Sequence, residues 1–183
     1  IWFVHKIPIP NRDPSAHHKL KFRQSLAIAL NNKPLAGFSI YLFCLYLAAY
    51  ATPPLTYVYL KQSLGVPGNI VVIISSLAMG GTIAGYLAAG HLIEKIGPKR
   101  LLLAIHFLFA TVNLCLFFSG SAGTGTVIFI AALLVVYGFF LSCSSVVVST
   151  EMLSLAMPGN KTMAMAFCGT FYLSLIHISE PTR

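Results

Sequence analysis

Six histidines, four cysteines and four acidic side chains make up most of the chain's reactive inventory. An enzyme needs such groups gathered into a constellation, such as paired His and Asp at one face of the protein. Here His5, His17, His18, His91 and His106 are scattered, so no catalytic residues are assigned. Cys44, Cys115, Cys143 and Cys168 lie singly inside apolar segments, with no CxxC pair and no His at metal-ligand spacing. They read as small buried hydrophobes, and neither a metal nor a cofactor is expected. The groups that do recur at helical spacing are hydroxyls. Gly138, Ser142, Ser145 and Ser149 fall at offsets of 0, 4, 7 and 11, on one face of a 3.6-residue helix, and Tyr46, Tyr50, Pro53 and Tyr57 repeat that spacing. Such stripes make no covalent chemistry, but they can line a polar cavity. The plainer alternatives are serine hydroxyls bonded to their own helix carbonyls one turn back and tyrosines packed as core.

The elements that carry these stripes are dictated by composition. Of 183 residues, 57% are hydrophobic and only 9% charged, against roughly 25% charged in an ordinary soluble domain. With a mean hydropathy of +0.81, the excess apolar surface must face lipid, and apolar runs of about 20 residues match a bilayer core about 30 Å thick. The net charge of +8 does not point to nucleic acid, because Lys and Arg are concentrated between the apolar runs, with no extended basic face and no aromatic RNA motif.

The fold class read from this pattern is an all-α membrane protein, a polytopic bundle of transmembrane helices. Spans are predicted over about 35–60, 70–90, 101–118 and 127–148, with a partial fifth over 162–172. Residues 1–33 read as the end of a preceding span, Ile1 to Val4, followed by a basic loop broken by Pro8, Pro10 and Pro14. Within that loop, Lys19 to Leu30 alternates apolar and polar residues, consistent with a short helix at the membrane surface or with a solvated linker. The loop carries Lys6, Arg12, Lys19, Lys21, Arg23 and Lys33, and the connection between the second and third spans carries Lys95, Lys99 and Arg100. Both are therefore cytoplasmic by the excess of cations. The opposite connections hold only Lys61 and then no cation, while Lys161 falls inside by alternation.

The spans differ in chemistry. The second contains Gly81-Thr82-Ile83-Ala84-Gly85, a GxxxG step that lets backbones approach where lipid supplies no hydrophobic drive, so this helix is expected to pack tightly. The third has no glycine and only His106 and Asn113 as strongly polar members, and is expected to face lipid on one side. Pro53 and Pro54 sit in the outer half of the first span, where they remove backbone donors and oblige the helix to bend or break. Irregular backbone survives in hydrocarbon only beside protein or a watery cavity, so these prolines are gate candidates, with a static kink as the alternative. No Asp, Glu, Lys or Arg between Leu35 and Val148 falls at a predicted midplane, so this segment offers no central carboxylate for a proton relay. His106, about 9 Å past Arg100 at 1.5 Å per residue, reads as an interhelical or interfacial hydrogen-bonding group.

Two connections carry a resemblance. Gly90, Glu94, Lys95, Gly97, Lys99 and Arg100 stand in Gly90-His-Leu-Ile-Glu-Lys-Ile-Gly-Pro-Lys-Arg100, which resembles the major facilitator superfamily signature after the second helix of each half, with Glu94 for the usual Asp and Pro98 at a position often basic. In physical terms, Gly90 and Gly97 permit close approach and a sharp turn, and Pro98 suits a first helical turn. After the fourth span, Glu151, Pro158 and Lys161 resemble the E…P…[RK] connection of the same superfamily, and Asn32-Lys33-Pro34 resembles the approach to its seventh helix. The resemblance covers nearly all of Ile1 to Tyr172. It implies about half of a twelve-helix fold, corresponding to helices seven to eleven of the C-terminal half.

That resemblance implies transport of a small solute by alternating access, with the lipid bilayer and the missing N-terminal half of the same protein as partners, the other half of the cavity wall lying outside this chain. In the family, the first helix of each triplet lines the cavity, the second forms the interface between halves and the third lies outside. Tyr46, Tyr50, Tyr57, Ser142, Ser145 and Ser149 are then the cavity candidates, and the plasma (inner) membrane is the expected location. The rival class is a membrane-embedded enzyme or a structural subunit of a membrane complex. The chain starts at Ile1 without an initiator Met, so its natural N-terminus is expected to be missing. Residues 173–183, LSLIHISEPTR, resemble a translated sequencing adapter and are set aside from the functional reading.

Overall fold

The computed structural model describes residues 22–120, 123–156 and 160–179; Pro158, the stub Ile1 to Val4 and most of the basic loop lie outside the described residues. Among the described residues six helices follow one another: α1 Phe22–Asn31, α2 Lys33–Gln62, α3 Gly68–Ile96, α4 Pro98–Phe118, α5 Thr124–Leu155 and α6 Lys161–Ser179. Among the described residues, α2 to α5 are long and apolar enough to cross a membrane. Most of these helices run beyond the apolar stretches read from the sequence, because polar residues at the ends keep helical backbone bonds after hydrophobicity stops. The backbone of α6 continues through Ser179, past the stretch assigned to its span.

Local chemistry sets the helix ends. Asn32 caps α2, its Oδ1 accepting from the Leu35 amide at 3.3 Å, and Pro34 occupies the first turn, where a missing amide costs nothing. Between α3 and α4 there is one residue, Gly97. Its φ of +85° lies in the region that glycine alone enters without strain, and Pro98 opens α4 directly after it. Gly97 thus makes the sharp turn expected of the signature. Gly90 does not make the close approach expected of it, since a Cβ there would meet nothing within 4 Å.

The principal packing seam joins α3 to α5. A Cβ on Gly81 would lie 2.2 Å from the Val135 carbonyl oxygen, and one on Gly85 2.1 Å from Ser142 Oγ and 2.2 Å from the Phe139 carbonyl oxygen. Gly138 answers from the other side, where a Cβ would sit 2.5 Å from the Ala78 carbonyl oxygen. These are backbone-to-backbone contacts that only glycine permits. On α4, Leu101, Ile105, Phe109 and Val112 are buried, while Leu103, Phe107, Leu114 and Phe117 on the other face are exposed. An apolar face so exposed is suited to lipid.

Helix α1 is present, and its Ser25 and Ala29 are buried where it packs on α2 and α6. Asn160 Nδ2 donates to the Ser25 carbonyl at 2.9 Å, and Asn32 Nδ2 donates to the Leu155 carbonyl at 3.1 Å. The start of α2 therefore lies at the end of α5, on the side that also holds Lys161. At the opposite side Tyr59, near the end of α2, donates to the carbonyl of Ser119 after α4 at 3.4 Å. These ties fix which helix ends share a face. Cysteines introduced at Lys95 and at Gly120, both exposed, are expected to react with a membrane-impermeant maleimide from opposite sides of intact cells; labelling from one side would break the topology.

Candidate functional site: a hydroxyl-lined cleft beside a proline-bearing helix

The halves of α2 and α5 nearest Asn32 and Leu155, with α6, enclose a cleft of about 100 Å³ lined by Leu42, Tyr46, Ser145, Val148, Ser149, Met152, Cys168 and Gly169. Three cavity candidates meet here: Tyr46, Ser145 and Ser149. Ser149 donates to the Ser145 carbonyl at 2.8 Å, and Ser145 to the Leu141 carbonyl at 3.2 Å. Each hydroxyl is thus satisfied within its helix and keeps oxygen lone pairs as acceptors. Tyr46 stacks against Tyr50 with ring centroids 5.5 Å apart.

Ser142 is not part of this wall. It is 1% exposed, bonded to the Phe139 and Gly138 carbonyls at 2.9 and 3.1 Å, and set against Gly85 in the α3–α5 seam. The serine stripe therefore divides between two neighbours, with Gly138 and Ser142 turned to α3 and Ser145 and Ser149 turned to α2 and α6. Tyr57 is likewise separate. It lines a second cavity, of about 130 Å³, with Pro53, Ser75, Thr82, Tyr137 and Leu141.

Pro53 and Pro54 lie inside α2, which passes through them without an interruption. Their missing donors are nevertheless evident in the surroundings. Tyr137 of α5, which the sequence stripes did not single out, donates its hydroxyl to the Ala49 carbonyl at 2.7 Å. Thr52 bridges to Asn113 of α4 at 2.9 Å, at the edge of an open groove of about 360 Å³ that also holds Thr56 and Tyr59. No spacing rule could have found Tyr137, because its role depends on the register between α2 and α5.

The two signature connections converge. Lys99 and Glu151, read from different loops, line one pocket of about 460 Å³ with Phe38, Tyr41, Leu102, Leu103 and His106. His106 acts between helices as expected. Its Nδ1 donates to the Leu102 carbonyl at 2.6 Å, and its Nε2 shares a hydrogen bond with the Tyr41 hydroxyl of α2 at 2.5 Å. Glu94, Lys95 and Arg100 are exposed at the α3–α4 turn, as is Lys161 at the start of α6. Among the described residues no group of three His, Cys, Asp or Glu side chains is placed to hold a metal ion.

A helical bundle of this length and apolarity, with lipid-suited faces and a glycine seam, defines an integral membrane protein. The sequence model of the Major Facilitator Superfamily matches residues 1–177, and the chain belongs to that superfamily. It is a membrane transporter of the major facilitator type, a class that moves small solutes and is generally not enzymatic. No curated protein and no solved structure matches the chain.

Proposed function

We propose that this chain forms helices seven to eleven of a plasma-membrane (inner-membrane) transporter that moves its solute by alternating access, with the N-terminal half of the same protein supplying the other wall. The observation that carries the reading is the cleft holding Tyr46, Ser145 and Ser149 against α6. At about 100 Å³ it is smaller than the roughly 300–1,000 Å³ of a pocket that encloses a small molecule. One wall of a cavity shared between two halves has this character. Its lining of hydroxyls and apolar groups suits a neutral or weakly charged polar solute, held by hydrogen bonds rather than by an ion pair. Pro53 and Pro54 then mark the outer gate, and the hydroxyl cleft lies on the inner side of it.

The test is uptake by the full-length protein in proteoliposomes, screened with radiolabelled sugars, organic acids, short peptides and amines. Saturable uptake of one class is expected. Replacing Ser145 and Ser149 together by Ala should weaken apparent affinity by about tenfold, since each lost hydrogen bond is worth about 0.5–1.5 kcal/mol, with membrane abundance unchanged. Unaltered affinity would remove the cleft from the substrate path.

A further inference from the structure

The Ala49 carbonyl points to a working role for a residue of another helix. In an α-helix this oxygen accepts from the amide four residues on, and that residue is Pro53, which has no N–H. A carbonyl orphaned in the membrane interior needs another donor. Tyr137 supplies one: its side chain is 1% exposed, and its hydroxyl donates to Ala49 at 2.7 Å. The ring is held from behind by Phe109 of α4, with centroids 4.8 Å apart. The phenol therefore stands where the helix lacks its own amide.

The place of this bond along α2 matters. Below it, Leu35, Leu42 and Tyr46 pack with Val148, Met152 and Cys168. Above it, Leu60 packs with Val66, Ile74, Ile130 and Leu134. Ala49 belongs to neither group and packs with Ile105, Phe109 and Tyr137. The two halves of α2 are thus anchored in separate cores, and the bond falls at the division. Directly beside it lies the cavity of about 130 Å³ lined by Pro53, Tyr57 and Tyr137, which leaves room on the proline side.

We propose that Tyr137 is the pivot of α2: its hydroxyl replaces the amide absent at Pro53 and pins the helix to α5 at Ala49, so that the outer half turns about a fixed point. Tyr137 is a positioning residue that acts through α2. The inference rests on reading Pro53 and Pro54 as a gate hinge. It makes a specific genetic claim, because Pro53→Ala restores an amide to Ala49 and renders the phenol hydroxyl redundant, whereas Pro54→Ala restores one to Tyr50 and does not.

The experiment uses the full-length protein carrying Tyr57→Cys, labelled from outside with a membrane-impermeant maleimide, alone and combined with Tyr137→Phe, Pro53→Ala, Pro54→Ala, and Tyr137→Phe with each proline variant. Tyr137→Phe keeps the ring against Phe109 and is expected to raise the labelling rate about tenfold, the order of effect of one buried hydrogen bond. It should do the same on the Pro54→Ala background and change the rate by less than about twofold on the Pro53→Ala background. Thermal unfolding midpoints should show the same dependence on Pro53. Equal effects of Tyr137→Phe on both backgrounds overturn the proposal, as does a lowered midpoint with unchanged labelling, which would make the bond merely structural. A shift with Pro53→Ala but none with Tyr137→Phe removes the pivot and leaves the hinge. Identical labelling in every variant removes both.

Discussion

Replacing Gly85 by Ala is expected to destabilise the bundle, although the same change at an exposed helical glycine adds about 0.8–1 kcal/mol of helix propensity. The sign is decided by distance. The new methyl would lie 2.2 Å from the Phe139 carbonyl oxygen and 2.1 Å from Ser142 Oγ. The serine can rotate; the carbonyl belongs to α5 and cannot move without parting the helices. In lipid the seam depends on close van der Waals packing, so forcing it apart should cost about 1–3 kcal/mol. Gly85→Leu should cost more and abolish uptake while insertion is retained. Gly80→Ala is the control, since nothing lies within 4 Å of a Cβ there, and it should be neutral or stabilising. The measurement is the thermal midpoint of the purified full-length protein in detergent. A Gly85→Ala midpoint equal to that of Gly80→Ala would show that the seam tolerates the methyl.

Much of the bundle was legible because lipid makes sequence patterns blunt. Apolar length marked the spans, and Gly81 with Gly85 announced a tight contact. The identity of that contact was not legible. The resemblance implied that this helix borders the other half of the protein, and Gly81 and Gly85 receive α5 of the same chain. Periodicity assigns residues to a face but does not name the neighbour, and α5 touches α2, α3, α4 and α6 together. That is why Gly138, Ser142, Ser145 and Ser149, a single stripe in sequence, serve two interfaces. Tyr137 was missed for a related reason. A tyrosine in an apolar run has no distinguishing spacing, and its value appears only when Pro53, 84 positions earlier in the chain, leaves a carbonyl open beside it.

Replacing both Pro53 and Pro54 by Ala should lower uptake about tenfold at unchanged membrane abundance. Two restored amides would close the ladder to Ala49 and Tyr50, and a proline inside a helix disfavours it by about 3 kcal/mol relative to Ala. Only part of that difference is available here, because Tyr137 already occupies the Ala49 carbonyl. A residual bias of about 1.4 kcal/mol toward the straight form is enough to shift a two-state population tenfold. The outer half of α2, with Tyr57 and Tyr59, would then remain in one position through the cycle.

The most direct test of the account is reciprocal accessibility in the full-length protein. One cysteine is placed at Tyr57, above the prolines, and another, in a separate protein, at Ser149 in the inner cleft. Each is labelled from its own side of the membrane, with and without the solute that the uptake screen identifies. Alternating access about a hinge at Pro53 predicts that solute changes the two labelling rates in opposite directions, and that the double Ala variant abolishes both changes. Rates that are indifferent to solute, or that rise and fall together, would contradict it.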